Sequence, residues 1–226
     1  MIIKATHLVI LLLLSLSCKM KDEAIKPAKP VEPIRYLALG DSYTIGESVP
    51  SDQSFPAQLV DSLKALGVNV SSYKIIAQTG WTTTNLKLAI EASTLKDTFN
   101  LVSLLIGVNN QYQGKSIGLY EQEFVELAER AIQFADGKKE NVFVVSIPDY
   151  GYTPFGKNNQ MTISSEIDLY NSINKRLSDS LGLKYYNITP ITQKGLSETD
   201  LVAGDGLHPS AKMYKEWVKL ILKQYI

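Results

Sequence analysis

The chain has 226 residues, enough for one domain plus a tail, and 45% of them are hydrophobic, enough for a full-sized core. Its 23 lysines and arginines balance 23 aspartates and glutamates, and no basic run suggests a nucleic-acid surface, so no nucleic-acid partner is expected. Two histidines and one cysteine exclude most metal frameworks built on those ligands, and no metal site is expected.

The first residues are expected to lie outside the fold. Lys4 precedes a short apolar core over 8–14, and Ser15, Leu16, Ser17 and Cys18 follow. That is the layout of a secretory signal, and it is too short to span a bilayer comfortably. The single cysteine stands where the apolar run ends, with no other cysteine to pair with. This resembles a bacterial lipoprotein signal, cut before Cys18 so that the thiol is lipidated. Ser15 and Leu16 depart from the usual pattern, in which leucine and then a small residue precede the cut. Residues 19–33 carry charges and Pro27, Pro30 and Pro33, and read as an extended tether. The expected organisation is therefore a signal over 1–17, a lipidated Cys18 and tether over 18–33, and a domain over 34–226. The expected address is exported and membrane-anchored, periplasmic or at the cell surface. Asn69 and Asn187 open glycosylation sequons, which are chance matches in a bacterial host.

From residue 34 apolar runs alternate with helical patterns. A buried strand is expected up to Leu39, a helix over 55–66 stopped by Gly67, and a second strand over 70–76. A helix over 82–93 follows, then an unbroken apolar run over 101–106 that reads as a strand buried on both faces. Residues 120–135 give the clearest helix, 141–147 a fourth strand, and 163–181 a long helix closed by Gly182. Residues 185–188 make a short fifth strand, and 214–226 a final helix that Pro209 can start. Strands alternating with helices predict an α/β fold with a parallel sheet covered on both faces. A dinucleotide fold is the obvious rival, but Gly40 and Gly46 stand too far apart for its glycine fingerprint.

The chemistry-bearing residues stand just past these strands. Ser42 follows the first, Gly80 the second, Gly107 and Asn109 the third, and Asp205 and His208 the fifth. Open parallel sheets place their sites at the carboxyl ends of the strands, so these residues can converge on one edge. Taken singly, each has a plainer reading: Gly, Asp and Ser are ordinary turn residues, and Asn is an ordinary loop cap. If His7 leaves with the signal, His208 is the only histidine left, and imidazole is the usual base for a serine hydroxyl near pH 7. Asp205, three residues earlier, can orient that imidazole. The N–H groups of Ser42 and Gly80 and the side-chain amide of Asn109 suit an oxyanion.

Gly40-Asp41-Ser42, Gly80, Gly107-Val108-Asn109 and Asp205-Gly206-Leu207-His208 resemble the four blocks of the SGNH, or GDSL, hydrolases, in that family's order across the domain. The resemblance implies a flavodoxin-like three-layer α/β/α sandwich on a five-stranded parallel sheet. It also implies a Ser42–His208–Asp205 triad, the oxyanion donors named above and no cofactor. Asn110 stands where that family usually carries aspartate, which is expected to alter loop support rather than chemistry. Gly114-Lys115-Ser116-Ile117-Gly118 matches a nucleophile elbow, but a polar, loop-like segment precedes it instead of a strand.

Trp81, Tyr112, Tyr150, Tyr152 and Phe155 are expected to rim the same edge, where aromatic faces can stack on a sugar or grip an acyl chain. The expected substrate is a small-molecule or glycan ester, with carbohydrate deacetylation fitting the address. Lysophospholipid or thioester hydrolysis fits the family equally well. A glycan-binding module that has lost turnover is the rival from another class, and a purely structural surface lipoprotein a weaker one.

Overall fold

The computed structural model describes residues 32–225. Cys18, the tether up to residue 31 and the last residue of the chain lie outside them. Five strands form one sheet: β1 (Ile34–Asp41), β2 (Val70–Gln78), β3 (Leu101–Leu105), β4 (Val142–Val145) and β5 (Lys184–Tyr186). All four pairings are parallel, in the order β2-β1-β3-β4-β5. This is the flavodoxin-like doubly wound order. The helices are α1 (Ser42–Ile45), α2 (Phe55–Ala65), α3 (Thr83–Ala92), α4 (Val108–Tyr112), α5 (Ile117–Phe134), α6 (Gln160–Leu181), α7 (Thr189–Thr192) and α8 (Ala211–Tyr225).

Right-handed crossovers dictate which face each long helix covers. The chain steps from β1 outward to β2 through α2, then back across to β3, β4 and β5 through α3, α5 and α6. Hence α2 packs with α8, while α5 packs with both α3 and α6. The middle strand β3 is buried along its whole length, as its unbroken apolar run predicts. Inside the sheet, Tyr36 Oη lies 2.7 Å from Ser103 Oγ, so these two buried hydroxyls satisfy each other. The edge strand β2 is largely exposed on its first half. No helix among the described residues is long and apolar enough to cross a membrane.

Several boundaries differ from the sequence expectation for local reasons. The strand β1 runs on through Gly40 to Asp41 rather than turning at the glycine. Gly40 is required for close approach instead: a Cβ there would stand 2.1 Å from Thr44 Oγ1 and 2.5 Å from the Leu105 carbonyl oxygen. The last helix starts at Ala211, not at Pro209. Ser210 caps it, accepting the Met213 N–H at 3.3 Å, while Pro209 sits in an isolated bridge with Val202. Helix α5 begins at Ile117 because the Ser116 hydroxyl accepts the Leu119 N–H, so the elbow-like motif is a helix cap.

Candidate active site

Ser42 is delivered by β1. The strand ends at Asp41, whose side chain accepts the Tyr43 N–H at 3.0 Å and so caps α1, of which Ser42 is the first residue. The first N–H groups of a helix have no partner within it, which leaves the Ser42 amide available. Asp41 is fully buried, and burial pushes its carboxyl up to about 8, against the lowering effect of the Tyr43 N–H. Among the described residues its Oδ2 has no hydrogen-bond partner.

His208 reaches the site from the loop before α8. Its Nδ1 lies 2.6 Å from Asp205 Oδ2, while Asp205 Oδ1 accepts the N–H groups of Leu207 at 2.9 Å and His208 at 3.0 Å. An aspartate three residues earlier can thus curl back onto the ring because its other oxygen is tied to the intervening backbone. Gly206 N–H donates to the Ala203 carbonyl and Ala203 N–H to the His208 carbonyl, closing the turn. The Tyr43 ring packs against the imidazole with centroids 5.1 Å apart. Burial raises the Asp205 carboxyl, but hydrogen bonds from Ser48, His208 and the two backbone N–H groups outweigh it. They hold the group well below the usual carboxylate range.

Ser48 was not legible as part of this site. Its hydroxyl donates to Asp205 Oδ2 at 2.6 Å, across 157 residues of sequence. It stands at φ 67°, a left-handed conformation uncommon for a residue with a side chain. The neighbouring Glu47 carboxylate accepts a hydrogen bond from Thr79, just before Gly80. The turn after α1 therefore links the serine, glycine and histidine blocks.

Gly80 has φ 80°, and a Cβ there would meet no atom within 4 Å, so backbone conformation rather than space calls for glycine. Gln113 Nε2 donates to its carbonyl at 3.0 Å. Asn109 Nδ2 donates to the Trp81 carbonyl at 3.1 Å. A primary amide carries two N–H donors, so this bond fixes the side chain and leaves the second free for a ligand. Asn110 is fully buried. Its Oδ1 accepts the Thr83 N–H at 2.9 Å, and its Nδ2 donates to Thr83 Oγ1 at 2.7 Å. Thr83 Oγ1 in turn donates to the buried Glu123 carboxylate at 2.5 Å. Asn110 thus ties α4 to the start of α3, a supporting role away from the cavity.

Ser42, Gly80, Asn109 and His208 line one cavity of about 310 Å³ together with Tyr43, Val108, Tyr112, Tyr150, Phe155 and Leu207. Ser42 and His208 face it without a direct hydrogen bond between their side chains, and such bonds often tighten only when substrate arrives. Two expectations about the rim are corrected. Trp81 does not line the cavity: its ring packs against the core, and only its carbonyl serves the site, through Asn109. Tyr152 is also absent from the lining: in the 3-10 turn Tyr150–Tyr152 it is Tyr150 that is buried and lines the cavity, while Tyr152 is half-buried outside it. Among the described residues, no group of three or more His, Cys, Asp or Glu side chains stands together as a metal site needs.

No curated protein matches the chain. Solved structures do. Axe2, an acetylxylan esterase from Geobacillus stearothermophilus, superposes with a TM-score of 0.64 at 17% identity, over 85% of this chain and 94% of that one. A lipase/acylhydrolase from Enterococcus faecalis gives 0.65 at 19%, over 84% and 94%. A member of the lipolytic G-D-S-L family from Veillonella parvula gives 0.63 at 16%, over 84% and 96%. At these identities the likeness is one of fold. The sequence itself is matched over residues 38–216 by the model of the GDSL-like lipase/acylhydrolase family, from the strand that leads into Ser42 to the helix after His208, and the chain belongs to that family of hydrolases.

Proposed function

We propose that this protein is a serine carboxylic-ester hydrolase that works through an acyl-enzyme. Ser42 Oγ attacks the ester carbonyl carbon, and its proton passes to His208 Nε2, the ring nitrogen left free by the Asp205 bond. Asp205 fixes the tautomer and stabilises the imidazolium. The N–H groups of Ser42 and Gly80 and the free N–H of the Asn109 amide hold the oxyanion. The bond to the alcohol breaks, and His208 gives its proton to the leaving oxygen. Water then repeats the cycle on the acyl-serine, releasing the acid and restoring Ser42.

The observation that carries this reading is the Asp205–His208 pair held at 2.6 Å on the wall of the cavity that Ser42 lines. The cavity is walled by Val108 and Leu207 together with aromatic rings, an apolar surround that suits the acyl half of an ester. The test is Ser42→Ala, assayed with p-nitrophenyl acetate and a fluorophosphonate probe. Turnover is expected to fall by at least about 10³-fold, with loss of labelling. Wild-type rates and labelling in the variant would sink the assignment.

We also propose, on the sequence over 1–18, that the protein is exported and anchored by a lipid on Cys18. Fatty-acid labelling of cells expressing the full chain is expected to tag the wild type and miss Cys18→Ala. Equal labelling of both would remove the anchor from the account.

A further inference from the structure

A second cavity, of about 390 Å³, adjoins the first. The two share Tyr112, Tyr150 and Phe155, and the second adds Asn159, Thr162 and Glu166. The three shared rings form a ridge with centroids 6.1 to 6.3 Å apart. Tyr150 is buried, while Tyr112 and Phe155 are each more than half exposed. Beyond the ridge the chemistry changes from apolar to polar. Gln111 accepts the Tyr150 hydroxyl at 2.9 Å and donates to Glu166 at 2.6 Å, so the ridge and the carboxylate are held in one framework. The side chains of Asn159 and Thr162 make no hydrogen bond to another described residue and are available to a ligand.

We infer that the second cavity receives the alcohol half of the ester, and that this alcohol is a saccharide. The inference rests on the esterase reading above and names the substrate class for the same site. A sugar ring has apolar C–H faces, which stack on exposed aromatic rings, and a rim of hydroxyls that both donate and accept. Asn159, Thr162 and Glu166 offer an amide, a hydroxyl and a carboxylate for that rim. A phosphate headgroup fits less well, because the lining includes a carboxylate and no lysine or arginine. With the acyl group seated beside Ser42, a sugar bonded to the scissile oxygen crosses the ridge into this polar space.

The test compares the wild type with the double variant Asn159→Ala/Thr162→Val on two esters. One is p-nitrophenyl acetate and the other is partially O-acetylated xylobiose. The ratio of kcat/KM for the sugar ester to that for the phenyl ester is expected to fall about ten-fold in the variant, as loss of two ordinary hydrogen bonds implies. An unchanged ratio overturns the saccharide cavity while leaving the esterase intact, and so does a wild-type preference for a lysophospholipid over the acetylated sugar. Failure of the wild type to cleave p-nitrophenyl acetate at all overturns the esterase reading instead. Calorimetric titration of xylobiose into the Ser42→Ala protein gives a check free of turnover. Binding is expected, and its absence counts against the cavity.

Discussion

Ser48 Oγ and His208 Nδ1 meet at a single atom, Asp205 Oδ2, each 2.6 Å from it. The carboxylate oxygen that orients the imidazole is therefore itself oriented from the far side, by a residue in the turn after α1. Ser48→Ala should lower kcat/KM for p-nitrophenyl acetate about ten-fold, the effect of one lost hydrogen bond to a charged group. Ser48→Gly separates positioning from strain. Both variants lose the hydroxyl, but glycine accepts the left-handed φ at Ser48, so it should be more stable than alanine by about 1 kcal/mol. Matched losses of activity with different melting temperatures are expected. Full activity in either variant would show that the Asp205–His208 pair holds itself.

Asp41 predicts a pH dependence of stability. Its folded pKa is raised from 3.8 to about 8 by burial. Between those values the unfolded chain has released the proton and the folded chain keeps it, so stability falls as pH rises through that window. Asparagine also caps helices, and Asp41→Asn removes the titration. Relative to the wild type, the variant should gain stability steadily from pH 5 to pH 8, reaching on the order of a few kcal/mol. Chemical denaturation at both pH values measures it. A constant offset would show that Asp41 does not carry the proton.

Asn110→Asp restores the side chain more usual at that position and should nevertheless destabilise this chain. The present hydrogen bonds run in one direction, from Asn110 to Thr83 to Glu123. Aspartate in place of asparagine would compete with Glu123 for the single Thr83 proton and set a second buried carboxylate close by. A loss of about 1–3 kcal/mol at neutral pH is expected, shrinking as the solution is acidified. Adding Glu123→Gln should recover part of it, which denaturation of the double variant would check.

Much of the fold was legible because burial leaves a pattern. The run from Leu101 to Leu105 could only be an inner strand, and α5 shows one apolar face over its whole length. The blocks around Ser42, Gly80 and Asn109 were legible because each follows a strand, and a parallel sheet brings strand ends together; His208 does not stand just past β5 as expected but beyond α7, on the loop that leads into α8. What escaped notice depended on distant partners. Gly40 looks like a turn residue until Thr44 and Leu105 are seen pressing on it. Ser48 is an ordinary loop serine until the chain returns 157 residues later with Asp205. Trp81 looks like a rim residue because it follows Gly80, but its ring turns to the core. Glu166 lies on a helix face that only Gln111, 55 residues away, marks as part of the site.

The direction of β1 has a practical consequence. Ile34 and Asp41 stand at opposite ends of that strand, roughly 25 Å apart at the usual rise per residue. A surface, bead or fusion partner joined just ahead of Ile34 attaches on the side of the sheet away from Ser42. Immobilisation through that end should leave the mouth of the cavity open to bulky polymeric esters.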